Sequence, residues 1–329
     1  MRQAIFEARH ARDWAQLEAW LDRHEKHHTL RKAAAGDGDL PDAAVPQTYR
    51  RICQHLALAR DRQYSTELVD RLNRLALRGH HVLYGARGGR ANHALEFLLG
   101  GFPRLVRAEG RLVAAASVLF FGPLLALIAA LQWFPDFVYY LFPPAELARF
   151  EAMYDPANEK LGRREAEDNV MMFGYYIWNN VRIGFQTFAT GLAFGLGSVF
   201  FLLANGVMIG AVAGHLTQTG YGWTFWSFVS GHSAMELTAI AISGAAGLRL
   251  GGAFIAPGGR SRKAALVAAA QPAVRLMYGA AGMFVVAAFI EAFWSPLTFF
   301  PPITKYTVGL ILWAIVLGYL AFGGRGRAA

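Results

Sequence analysis

His232 and Glu236 stand four residues apart, so a helix would place an imidazole and a carboxylate on one face. Such a pair could form a buried hydrogen-bonded lock, serve an ion or proton path, or bind a metal, and the residues favour these readings in that order. A catalytic zinc takes three protein ligands and an open position; the HExxH spacing is absent, and the nearest further histidine is His215. The surroundings sharpen the question. The stretch from Trp178 to Gly251 is apolar enough for a bilayer, yet it also carries Asn179, Asn180, Arg182 and Asn205. A charge at membrane depth costs about 2.5–3.5 kcal/mol on insertion scales, so these groups are expected to face inward. With Gly206, the second half of an Asn-Gly turn or kink signal, they form a candidate polar seam.

The expected roles of the seam residues differ. Asn179 and Asn180 stand where a span is expected to begin, and asparagine caps helices well. Arg182, one turn inside, could snorkel to the surface or reach Glu236. Glu291 lies near the outer end of its own apolar run and reads as solvated. The Gly-Leu-Arg-Leu-Gly segment at 247–251 lacks the strand-then-helix context of a phosphate loop. No Walker A lysine, serine elbow or acid/base set is visible, so neither catalysis nor a bound cofactor or metal is expected. Cys53 is the single cysteine, which excludes an intrachain disulfide and a cysteine zinc site. His27-His28 and His80-His81 have no carboxylate or cysteine at ligand spacing and read as solvated helix faces.

The elements that must position the seam follow from composition. Of 329 residues 54% are hydrophobic and 17% charged, and most of the charge lies in blocks before Arg111, at 144–168 and at 249–275. Between the blocks lie apolar runs near the roughly 20 residues that cross a hydrocarbon core. The fold class expected is all-α: a polytopic bundle of about six spans at 111–324, behind a cytoplasmic helical domain at 1–110. The net charge of +9 fits cytoplasmic loops that gather Arg and Lys better than it fits nucleic acid. In the N-terminal part Trp14, Leu17 and Leu21 share a helical face, as do Ile52, Leu56 and Ala59, then Leu68, Leu72 and Leu75. Residues 33–46 read as a linker, Pro46 as a first-turn proline, Ser65 as a helix start, and 85–89 as a break. Residues 95–105 read as an amphipathic piece at the inner membrane surface. The first thirty residues lack an apolar core, so the first span is expected to act as the insertion signal.

Arg104, Arg107 and Arg111 precede a span at 112–134 and place the N-terminus inside. The loop 135–176 holds twice as many acids as bases and reads as extracytoplasmic, two short helices broken at Pro156. Spans are then expected at 178–203, 206–220, 227–250, 276–294 and 305–322, with both termini in the cytoplasm. The piece 206–220 would be only about 22 Å long, a short tilted span or half of a re-entrant pair. Trp133, Tyr139, Tyr140, Tyr175, Tyr176, Trp178, Trp223, Trp226 and Trp294 fall at the outer boundaries, as an aromatic belt should. Small residues recur four apart at Gly191 and Gly195, and at Gly206, Gly210 and Gly214; Ser243, Gly247 and Gly251 continue the His232 face. Such stripes let helices pack closely within the chain, or between two copies of it.

The order and spacing of Asn179-Asn180, Gly191, Gly195, Gly197, Asn205-Gly206, Gly210, His232, Glu236 and Gly247-Leu-Arg-Leu-Gly251 resemble the stage II sporulation protein M family of integral membrane proteins. Tyr49-Arg50, Leu56 to Arg60, and Leu72-Asn73-Arg74-Leu75 before Tyr84 resemble its longer form from non-sporulating bacteria. Where the family reads Pro-His-Gly, this chain has Gly231-His232-Ser233. The resemblance implies an inner-membrane, non-enzymatic protein of the cell envelope. The founding member helps anchor a complex that cuts septal peptidoglycan. Longer relatives are commonly encoded beside a MoxR-type ATPase and von Willebrand-like or transglutaminase-like proteins. The function expected is therefore a scaffold of an envelope- or peptidoglycan-remodelling complex, in contact with membrane lipids. The alternative is a transporter or lipid-handling permease that uses the His232/Glu236 seam, with its short 206–220 segment resembling the broken helices of transporters.

Overall fold

The computed structural model describes residues 3–26, 40–84, 90–157 and 166–325. The linker at 33–39, the break at 85–89, His27-His28 and the charged residues at 159–165 lie outside that description. The chain divides into two compact units, Met1–His93 and Ala94–Ala329.

The first unit holds α1 (Gln3–Lys26), α2 (Val45–Asp61) and α3 (Thr66–Tyr84). Its core is the three stripes expected from spacing: Trp14, Leu17 and Leu21 meet Ile52, Leu56 and Ala59, and both meet Leu68, Leu72 and Leu75. Pro46 sits in the first turn of α2, and the Ser65 hydroxyl accepts from Leu68 N at 3.4 Å to start α3. Salt bridges Arg71–Glu18 and Arg78–Asp22 line the outside. Thr48 and His55 are polar groups inside; Trp14 Nε1 donates to His55 Nδ1 at 3.1 Å. Desolvation pushes its pKa below the ordinary 6.5, helped by His10 and Arg51 and opposed by Asp13.

The second unit is a helical bundle. The division falls within α4 (Arg90–Glu96), and beyond it come a π-helical turn Phe97–Gly101, α5 (Phe102–Ala108), α6 (Gly110–Trp133), a 3-10 turn Pro135–Tyr140, α7 (Pro144–Tyr154), α8 (Ala166–Ala189), a 3-10 turn Thr190–Leu192, α9 (Leu196–Gln218), α10 (Gly222–Ile255), α11 (Arg262–Phe293) and α12 (Pro302–Phe322). α10 is the axis: it packs on α6, α8, α9, α11 and α12, and residues 239–247 are buried without interruption. Among the described helices α6, α9, α10, α11 and α12 are long and apolar enough to cross a membrane. Their outward side chains, Val118, Leu125, Phe200, Phe289, Leu310 and Ile315 among them, are exposed, as a lipid-facing surface requires.

The second and third spans are not where the sequence placed them. The chain does not break at Asn205-Gly206. It turns at Phe194 and Gly195, both in the left-handed region with φ of 54° and 80°, which glycine adopts without strain. α9 then runs unbroken through Asn205-Gly206 for roughly 34 Å, a full crossing. Asn205 is satisfied inside the helix by donating to Phe201 O at 2.7 Å, and Gly206 lies against the Phe120 carbonyl of α6. α8 is too polar to count as a span by composition, yet it runs the depth of the bundle. Tyr176 packs with Ala288 and Ala292, Gly184 meets Phe284, and Gly191 meets Gly247. With α8 the described chain passes between the two ends six times. The first and last pieces of the bundle meet at one end, where Arg107 donates to Leu320 O and Gly323 O at 2.7 Å each. Residues 95–105 do not simply lie on a surface: Leu95, Leu98 and Leu99 are exposed, but Phe102 is buried against Gly279.

The glycine stripes are used within one chain. Gly206, Gly210 and Gly214 face the backbone of α6 at Phe120, Leu124 and Ile128. Gly251 faces Gly195, and a Cβ on Gly247 would meet the Ser198 hydroxyl and the Phe188 carbonyl. A Cβ on Gly122 meets nothing within 4 Å. Gly247→Val is therefore expected to lower the thermal midpoint in detergent by the equivalent of about 1–3 kcal/mol or more, with Gly122→Ala near neutral. In the first unit, the unfolded chain takes a proton on His55 near pH 6.5, and the folded unit takes it only at lower pH. Stability from this group is thus full above 6.5 and falls as pH drops through the folded value. Hydrogen exchange of α1 and α2, corrected for intrinsic rates, should accelerate from pH 7 to 5.5, and His55→Gln should flatten that response.

Candidate functional site

Three ionisable residues of the bundle, His232, Glu236 and Glu291, gather between α10 and α11, in the half away from Arg249. His232 and Glu236 do share a face of α10, with Nε2 and Oε2 3.8 Å apart. That face looks at α11. Ser295, just past the end of α11, places its Oγ 3.1 Å from His232 Nδ1. Glu291, one turn before Ser295, brings its carboxylate in as well: ligand atoms of His232, Glu236 and Glu291 all lie within 4.8 Å of one another. Glu291 is thus half-buried within the cluster, not solvated as its place near a span end suggests. Its helix continues past it and Trp294 packs on Gly231, so the span end lies further out than the run of apolar letters implies.

α12 closes the cluster. Lys305, itself buried, donates to Ser295 O at 2.7 Å, and its own carbonyl accepts from Ser230 Oγ at 3.2 Å. Trp313 Nε1 donates to Ser233 Oγ at 3.1 Å. Three helices are thereby tied at one level by side chains that neighbour His232. On its other side the cluster borders a cavity of about 340 Å³. Leu124, Ile128, Ile209, Val212, Phe225 and Val229 wall it; His232, Ser233 and Glu236 stand at its polar edge, and Glu146 of α7 lines it as well.

The remaining seam residues are placed elsewhere. Asn179 and Asn180 lie well inside α8, not at its start, because α8 begins by Ala166. Asn179 Nδ2 donates to Asn180 Oδ1 at 3.2 Å, and the buried Asn180 Nδ2 has no hydrogen-bond partner among the described residues. Arg182 reaches outward to stack on Trp178, 4.7 Å from the ring centre, and not to Glu236. Asn205 and Gly206 serve the α6–α9 contact. Ser243 donates back to Ala239 O at 2.8 Å, while Gly247 and Gly251 face α8 and the turn after it. His215 is taken by Glu151 of α7 at 2.7 Å. The arrangement gives a compact His-Glu-Glu group with a hydroxyl behind the imidazole and an apolar space beside it. It could hold a proton between carboxylates, or a cation.

Ser295 and Lys305 escaped notice in the sequence because each sits at the edge of a span, where polar residues are ordinary. The available signal was the i, i+4 spacing of Glu291 and Ser295, which repeats that of His232 and Glu236. Lys305→Met would leave a buried carbonyl without its donor. It should cost about 1–3 kcal/mol, read as a lower melting midpoint by intrinsic tryptophan fluorescence, while Lys263→Met at the exposed start of α11 should change nothing.

A model of the family described as Domain of unknown function (DUF8413) matches residues 4–85. Comparison with curated proteins and with solved structures found no match. The family model described as Stage II sporulation protein M matches residues 111–296, more than half of the chain, and takes in His232, Glu236, Glu291 and Ser295 together with the helices that carry them. With a multi-pass helical bundle that agrees with that match, the chain belongs to the stage II sporulation protein M family.

Proposed function

We propose that this protein is a membrane scaffold, an assembly component of a complex that remodels the cell envelope or its peptidoglycan, and not an enzyme. The observation that carries this reading is the interlocking of backbones. The turn after α8 and α10 touch at Gly191 and Gly247, and α6 and α9 touch at Gly206 and Gly210. Such contacts favour a fixed frame over the rocking of one half against another on which alternating access depends. The frame carries material for partners in a charged three-helix unit and in α7, which is pinned by Glu151 to His215 and by Tyr154 O to Thr224 at 2.5 Å. The positive-inside rule assigns the arginine-rich end to the cytoplasm, both termini with it, and α7 to the outside of the plasma membrane. Partners of the kind the family resemblance implies are a MoxR-type ATPase within and von Willebrand-like or transglutaminase-like proteins. Extraction in mild detergent and capture of the full chain should recover such a protein reproducibly. Loss of that partner on Glu151→Ala would place its contact on α7, and repeated recovery of the chain alone would count against the scaffold.

The cavity beside Glu236 favours a second reading, a lipid-handling permease. The continuity of α9 removes the broken helix that first suggested it. Flux of a lipid or solute in proteoliposomes, abolished by Glu236→Gln, would support this reading; flux equal to empty liposomes would end it.

A further inference from the structure

We infer that His232, Glu236 and Glu291 form a binding site for one divalent transition-metal ion between α10 and α11. The inference goes beyond the scaffold reading and holds for a scaffold or a permease alike. Three observations carry it. First, the donor set is one imidazole and two carboxylates, with ligand atoms within 4.8 Å of one another. Donors on one zinc at about 2.0–2.1 Å stand roughly 3.3 Å apart, so small rotations of the two flexible glutamates would complete the set. Secondly, the imidazole is oriented for it. A metal on Nε2 requires the proton on Nδ1, where Ser295 Oγ stands at 3.1 Å to accept it. Ser295 is in turn fixed by Lys305, whose ammonium is committed to the Ser295 carbonyl at 2.7 Å. Thirdly, charge and space agree. Two carboxylates crowded inside an apolar bundle call for a cation or a shared proton. A cation would be favoured beside these carboxylates, and the neighbouring cavity, lined by His232, Glu236 and Glu146 among others, gives space beside the group.

The sequence supplied only two of the three ligands, which is why a metal ranked last on spacing alone. The third comes from another helix. Because the ligands come from α10 and α11, the ion would clamp the two helices that pack most extensively.

The test uses the full chain in detergent, stripped with a chelator and titrated with zinc against a competing dye. About one equivalent should bind per chain, as for a single three-ligand site. Ser295→Ala, which removes only the outer partner, should weaken binding about 10–100-fold, and Glu291→Gln or His232→Gln should weaken it more. The double variant His80→Ala, His81→Ala should bind as the wild type does. Less than half an equivalent in the wild type, or undiminished binding in Glu291→Gln, would overturn the site. Should the ligand variants fail to fold, X-ray absorption of the zinc-loaded wild type decides: a shell of one imidazole nitrogen and carboxylate oxygens is expected, and sulfur or several imidazoles would overturn it.

Discussion

In hydrocarbon an apolar side chain gains little by leaving lipid for protein, so helices associate through close packing of backbones and through hydrogen bonds. The bundle depends on that constraint at one place above all, where Gly191 meets Gly247. A side chain on Gly191 would strike the Gly247 backbone, and one on Gly247 would strike the Ser198 hydroxyl and the carbonyls of Phe188 and Thr187. Beside them Ser198 Oγ donates to Thr187 O at 2.6 Å, so a hydrogen bond ties the start of α9 to α8 while the glycine contact sets the turn against the axis helix. α9 then lies on α6 through Gly206 and Gly210, and α8 meets α11 where Gly184 admits the ring of Phe284. The glycine contacts in one half of the bundle thus set the register of α10 and α11 in the other half, where the ionisable groups are.

Polar side chains inside the bundle fall into two kinds. Thr187, Asn205, Thr217 and Ser243 each donate to the carbonyl four residues back in their own helix. Their hydroxyl and amide donors are satisfied locally; of the four, Thr217 also accepts from Trp226 Nε1 of α10 at 2.9 Å. His232, Ser295, Lys305, Ser230 and Trp313 bond between elements instead. The candidate seam therefore resolves into a cluster at one level, and the asparagines that seemed to belong to it serve α8 or α9.

Much of this was legible from residues alone, and the failures have definite causes. Trp14, Leu17 and Leu21 give the face of α1 because a soluble three-helix unit has one apolar side to hide. The glycine steps of four give helix contacts because only small residues allow them. The turn between α8 and α9 was missed because the segment from Thr190 to Gly195 carries no charge and no proline, so the end of one helix and the start of the next read as one apolar run. Asn205-Gly206, a strong turn signal in water, is overridden where α6 covers the glycine and the helix itself satisfies the asparagine. Glu291 could not be joined to Glu236, 55 residues away, until the register of α10 on α11 was known.

That register bears on why the cluster exists. If His232, Glu236 and Glu291 served only to hold α10 against α11, apolar residues of similar volume would do it at least as well, since replacing buried ionic groups by well-packed apolar ones is often neutral or stabilising by about 1–4 kcal/mol. The neighbouring levels show how such packing is done here: Gly184 with Phe284, and Gly244 with Leu202, fit small against large. At the level of His232 the chain forgoes that solution. It commits a buried lysine and a serine to fixing one imidazole and leaves apolar space beside it. Packing accounts for the helices; a proton or an ion held among these side chains accounts for the departure from it.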